Sequence, residues 1–124
     1  MSGHKILIVE DNLLNMELFM EILELKGYEV HPFYNAEEAL EKMKPINPNL
    51  ILLDIALPGL DGLSALRILK ADPETAEIPV VVVSAHSLLT DERAAREAGC
   101  SEYLTKPISG SALLITVSEF IGTP

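Results

Sequence analysis

Glu10 with Asp11, Asp54, Ser84, and Lys106 with Pro107 are the residues whose types and spacing could do chemistry. Each follows a short apolar run: Ile6–Val9, Leu50–Leu53, Pro79–Val83 and, more weakly, Tyr103–Leu104. If these runs are strands of an open parallel α/β sheet, the residues leaving their carboxyl ends converge on one crevice. Three carboxylates, a hydroxyl and an ammonium would then share it. Carboxylates crowded together repel and raise one another's pKa values. Stability does not explain such crowding, but a divalent cation does. Magnesium takes oxygen ligands octahedrally at ~2.0–2.1 Å and keeps several waters, which suits two or three carboxylates. An ammonium beside Asp54 can pair with a phosphoryl oxygen as a point charge, and Ser84 can donate to another.

Each of these residues also has a plainer reading. Asp11 or Asn12 can cap the helix that follows the first strand. An aspartate closing a buried strand can bond the next loop, a serine can bond the local backbone, and a lysine is ordinarily a solvated charge. Pro107 changes the weighing of Lys106. A cis Lys106–Pro107 bond, found at about 5–6% of X-Pro bonds, would aim the lysine across the strand ends.

The elements needed to position these groups are legible as strand and helix alternating five times. Lys5–Val9 is an apolar run rich in β-branched residues and reads as a buried strand. Asn12 to Lys26 carries Met16, Phe19, Met20 and Leu23 at helical spacing, and Gly27 is placed to end it in a left-handed cap. Tyr28–Phe33 is a second strand. Asn35 with Glu38 three residues on resembles a capping box. Ala36, Ala39, Leu40 and Met43 continue the helical face, and Pro45 and Pro48 are expected to stop it. Asn49–Leu53 is apolar on both faces, as a central parallel strand should be. A Pro58-Gly59 turn leads to a helix near Leu63–Ala71, ending before Pro73. Val80–Val83 is a fourth, central strand. Thr90–Ala98 is a helix closed by Gly99, Glu102–Thr105 a short fifth strand, and Leu113, Val117, Phe120 and Ile121 the face of a last helix. The fold class expected is α/β: a doubly wound, five-stranded parallel sheet with five helices on both faces. Right-handed crossovers favour the order 2-1-3-4-5.

A chain of 124 residues is one domain's worth and buries a core without staples. With 48% hydrophobic residues it is not expected to be disordered. The net charge of −10, from 19 acidic and 9 basic residues, argues against nucleic acid and against an anionic membrane surface as partners. No apolar run approaches the roughly 18 residues of a membrane span, and the first residues lead straight into a strand-like segment without a signal peptide. Cys100 is alone, which excludes an internal disulfide and a cysteine-based zinc site. A soluble, cytoplasmic protein is expected. His4, His31 and Cys100 are read as having no function, and Met16, Met20 and Met43 as core.

The text at these positions resembles the receiver domain of response regulators, the CheY-like phosphoacceptor module of two-component signalling. The matching segments are KILIVEDN at residues 5–12, LILLDIALPGLDG at 50–62, VVVVSAHS at 80–87 and YLTKPIS at 103–109. Residues 10–30 are also similar to single-domain receivers of the DivK type. The resemblance implies a flavodoxin-like (CheY-like) fold. It implies that Asp54 is phosphorylated, that Glu10 and Asp11 hold Mg2+ (or Mn2+) together with Asp54, and that the backbone carbonyl of Ala56 is a further ligand. It makes Ser84 the switch hydroxyl, Tyr103 the aromatic switch residue, and Lys106 the phosphate-binding lysine before a cis Pro107. Ala56 and His86 stand where receivers vary and where phosphoryl lifetime is tuned. The implied partners are a histidine kinase or histidine phosphotransfer protein and a downstream protein target. The target is read through the fourth helix, fifth strand and last helix, roughly residues 87–121. A monomer or weak dimer is expected. Only Gly122, Thr123 and Pro124 follow the last helix, so residues 1–124 read as one receiver without an output domain, or as a receiver excised from a hybrid kinase or longer regulator.

Two other classes use related parts. A magnesium-dependent phosphatase with an aspartyl-phosphate intermediate places a second Asp two residues after the nucleophile as general acid, and here that residue is Ala56. A flavodoxin-like cofactor binder needs a phosphate-binding turn after the first strand, where Glu10, Asp11 and Asn12 would repel a phosphate without a metal. The expectation is therefore a signalling phosphoacceptor, not an enzyme, whose only catalysis is transfer to itself and loss of its own phosphoryl group.

Overall fold

The computed structural model describes residues 4–57, 59–85 and 89–124. Five strands and five helices alternate: β1 (Lys5–Val9), α1 (Leu13–Leu25), β2 (Glu29–Phe33), α2 (Ala36–Ile46), β3 (Leu50–Asp54), α3 (Gly62–Ala71), β4 (Val80–Ser84), α4 (Leu89–Glu97), β5 (Glu102–Thr105) and α5 (Gly110–Ile121). All strand pairs are parallel and the order is β2-β1-β3-β4-β5.

The continuous apolar runs are explained by burial on both faces. Leu7, Val9, Ile51, Leu53, Val80 and Val82 pack against α2, α3 and α4. Ile6, Ile8, Leu50, Leu52, Val81 and Val83 pack against α1 and α5. The alternation of side chains along a strand sends neighbours to opposite layers. Among the described residues no helix is long and apolar enough to cross a membrane.

Helix starts follow their caps. Asn12, Asn35, Asp61 and Ser109 each accept the amide three residues on. The expected capping box at Asn35 is half formed: Asn35 Oδ1 accepts Glu38 N–H at 2.8 Å, while the Glu38 carboxylate pairs with Lys42. Asn35→Ala should cost about 1 kcal/mol, seen as a lower urea midpoint with an unchanged slope.

Several boundaries differ from expectation. Pro45 lies inside α2, because in the last turn its missing N–H forfeits only one bond; the helix stops where Asn47 turns left-handed at φ 54 and returns its N–H to Met43. Pro32 sits within β2, which the topology makes an edge strand. In α5 Thr116 joins Leu113 and Val117 in the core, whereas Phe120 is 39% exposed. Gly27 takes positive φ as expected, and so do Gly59 and Gly99; Pro58 lies outside the described residues.

Candidate functional site

The ends of four adjacent strands meet level. Val9 pairs with Leu53, Asp54 with Val83, and Ser84 with Thr105. β3 and β4 each run one residue further than expected, so Asp54 and Ser84 are themselves the last strand residues. β1 delivers Glu10 and Asp11, and β5 delivers Lys106 one residue beyond its end.

Glu10 is 1% exposed and Asp54 5%, so both carboxylates are out of bulk water. Such groups require partners, and each oxygen has one. Lys106 Nζ donates to Glu10 Oε1 at 2.7 Å and to Asp54 Oδ2 at 2.9 Å. The Asn12 N–H donates to Glu10 Oε2 at 3.1 Å, and the Ala56 N–H to Asp54 Oδ1 at 2.8 Å. Burial pushes the Glu10 carboxyl above the usual carboxylate range; the bonds from Lys106 and Asn12 pull it back, and the Asp54 charge pushes it further up. For Lys106, burial disfavours the ammonium, but the two carboxylates together outweigh it and hold its pKa above the ordinary lysine value. Lys106 is therefore charged at neutral pH.

The carboxylates of Glu10, Asp11 and Asp54 each offer an oxygen, and these lie within 4.8 Å of one another. Asp11 is exposed and forms the open side. An all-oxygen donor set suits a hard divalent cation. Three carboxylates against one ammonium leave a surplus of two negative charges, which such an ion would neutralise. The residues fit the ion that the sequence led us to expect.

Ser84 is fully buried and Tyr103 nearly so. Burial raises the Tyr103 phenol above its usual value, and a hydrogen bond with the Ser84 side chain draws it partly back. The two residues assigned to switching stand on the adjacent strands β4 and β5. Ala56 is exposed, with its N–H on Asp54. The Lys106–Pro107 bond is cis. His86 lies outside the described residues.

Three residues contribute to the site in ways that sequence reasoning missed. Asn12 caps α1 and also holds Glu10. Gly62 lies directly beneath the phosphoacceptor candidate: a Cβ there would fall 2.2 Å from the Asp54 carbonyl oxygen and 2.3 Å from Ile55 Cα. Glu37, on α2, reaches the Leu60 N–H at 3.1 Å.

Residues 6–118 match the response regulator receiver domain. The chain belongs to the response-regulator receiver family. This receiver is similar to the polar-differentiation response regulator DivK of Brucella anthropi, at 42% identity over 117 residues, covering 94% of this chain and 95% of the relative. Among solved structures it resembles the receiver domain of a Pseudomonas aeruginosa sensor histidine kinase, which holds a magnesium ion in its active-site cleft. That likeness has a TM-score of 0.89 at 31% identity and covers 98% of this receiver and 99% of that chain. The receiver domain of a Syntrophus aciditrophicus histidine kinase aligns with a TM-score of 0.88 at 32% identity, covering 95% and 89%.

Proposed function

We propose that this receiver takes a phosphoryl group from a phosphohistidine onto Asp54 and thereby changes which proteins it binds. Lys106 Nζ, placed 2.9 Å from Asp54 Oδ2 at the edge of an all-oxygen donor set, carries this reading. A carboxylate oxygen of Asp54 attacks phosphorus, the P–N bond breaks, and its electron pair goes to the donor imidazole nitrogen. Glu10, Asp11, Asp54 and the Ala56 carbonyl would hold Mg2+ or Mn2+. When bound, the ion supplies positive charge to the phosphoryl oxygens in flight. Lys106 stabilises the same charge from the other side. The Ala56 N–H keeps one Asp54 oxygen turned to the backbone, which leaves the other facing Lys106.

A groove of about 370 Å³ opens beside Lys106, lined by Leu18, Phe19, Ala85, Pro107 and Ile108, and gives the donor a way in. Ser84 would then donate to a phosphoryl oxygen and release Tyr103, so that the state of Asp54 is passed to β5 and the neighbouring faces of α4 and α5. A target reports this only if it binds the two states differently. Ala56 supplies no acid to speed hydrolysis, which favours a switch over a turnover enzyme. In this reading the receiver acts in the cytoplasm as a monomer or weak dimer, between a histidine kinase or phosphotransfer protein and a protein target.

The test is transfer from candidate histidine kinases carrying labelled phosphate. Label should move to the wild-type protein and not to Asp54→Asn. Equal transfer to both proteins would overturn the assignment.

A further inference from the structure

We propose that Glu37 is a positioning residue for Asp54, acting through the loop between β3 and α3. This rests on the reading of Asp54 as phosphoacceptor. The loop is fastened at four points. The Ala56 N–H holds Asp54 Oδ1 at 2.8 Å. Leu57 is buried in the core layer below α2 and α3. The Gly62 N–H closes the base on the Ile55 carbonyl at 3.1 Å. Finally, the Leu60 N–H donates to Glu37 Oε2 at 3.1 Å. Among the hydrogen bonds of the described residues, only this last one ties the loop to an element other than β3 and α3, which flank it.

A second observation shows that the loop accommodates Glu37 closely. Gly59 adopts φ +70, and a Cβ on it would lie 2.7 Å from Glu37 Oε2. A side chain at position 59 would therefore push the carboxylate off its amide. Glu37 itself sits in the first turn of α2, on a helix packed against the sheet by Ala36, Ala39 and Met43, so its origin is rigid. Its carboxylate thus fixes the far end of a loop whose near end orients Asp54. With Glu37 removed, the Ala56 N–H is held less firmly and the Asp54 oxygens lose part of their alignment toward Lys106. Misalignment of a reacting group lowers the rate of the step more than it weakens binding.

The experiment compares wild type, Glu37→Ala, Glu37→Gln and Glu38→Ala with acetyl phosphate and Mg2+. It reads the saturating phosphorylation rate, the half-saturating acetyl phosphate concentration, and the Ala56 amide signal by NMR without phosphodonor. Glu37→Ala should slow the saturating rate by about three- to tenfold, barely move half-saturation, and shift the Ala56 amide. Glu37→Gln keeps an acceptor oxygen and should restore the rate to within about twofold. Glu38→Ala removes the same charge from the same helix turn, where Glu38 pairs with Lys42 and not with the loop, and should behave as wild type. A wild-type rate in Glu37→Ala, an equal loss in Glu37→Gln, or an equal loss in Glu38→Ala would each overturn the proposal. Absence of any adduct on wild type would overturn the phosphoacceptor reading itself. In that case the Ala56 amide still reports whether Glu37 holds the loop, so the two failures are told apart.

Discussion

Lys106→Met should slow phosphoryl uptake by Asp54 by about 10²–10³-fold and at the same time tighten divalent-cation binding by about tenfold. The two effects have opposite signs because the same ammonium serves two purposes. It sits 2.7 Å from Glu10 and 2.9 Å from Asp54, where it partly neutralises the donors a cation needs. Removing it leaves three carboxylates with no counter-charge, so a divalent ion binds more strongly. The transferring phosphoryl group, however, loses the positive charge that faces it from the β5 side. Methionine is chosen because it has about the length of lysine and keeps the packing. Without metal, the variant should also be less stable by about 1–2 kcal/mol, since the buried Glu10 and Asp54 lose their partner, while solvent at the partly exposed Lys106 screens the pairs and keeps the loss small. Added Mg2+ should recover that loss by mass action. Intact-mass time courses give the rate, calorimetry the affinity, and urea unfolding the stability. A weaker affinity for Mg2+ would show that Lys106 supports the metal site instead of competing with it.

Gly62→Ala should destabilise the fold by about 1–3 kcal/mol or more and abolish most phosphoryl uptake in the molecules that remain folded. The added methyl would lie 2.2 Å from the Asp54 carbonyl oxygen and 2.3 Å from Ile55 Cα. Both are backbone atoms of the strand end that presents the proposed phosphoacceptor, so they cannot swing aside as a flexible side chain would. Either α3 lifts away, losing the seat of Ala65, Leu66 and Leu69 in the core, or the Asp54–Ile55 peptide moves. Gly122→Ala is the control. Gly122 takes φ 74 with ψ −175, a region close to glycine-only, but has nothing within 4 Å of a Cβ, so Ala there should cost about 1–3 kcal/mol in local backbone strain at the end of α5 and leave phosphoryl uptake unchanged. If Gly62→Ala unfolds at the wild-type urea midpoint and phosphorylates normally, the close approach has no functional weight.

The architecture was legible because each strand and each chemical residue sits in the same short stretch of sequence. Short apolar runs that stay apolar on both faces, are rich in β-branched residues and are bounded by turn residues read as central parallel strands, and this places β1, β3 and β4 with the acids and the hydroxyl at their ends. What stayed hidden is what depends on the third dimension. Lys106 and Glu10 are 96 residues apart, and nothing local indicates that one ammonium would serve two carboxylates. Glu37 looks like an ordinary first-turn acid, and only the path of the β3–α3 loop across it gives it a further contact. Gly62 could be read as a turn residue after Asp61; its role comes from a backbone crossing that no pattern records. Pro45 was a misleading local signal, since a proline in a helix's last turn breaks little. Phe120 misled in the other direction, because helical spacing marks a face without saying how far along the helix the core extends.

The most direct measurement is intact mass after incubation with acetyl phosphate and Mg2+, for wild type, for Asp54→Asn, and for wild type with a chelator in excess. The expected result is one phosphoryl group on wild type in the presence of Mg2+, and none on Asp54→Asn or on the chelated protein. No adduct on wild type, or an equal adduct on Asp54→Asn, would contradict the assignment of Asp54 as a metal-assisted phosphoacceptor.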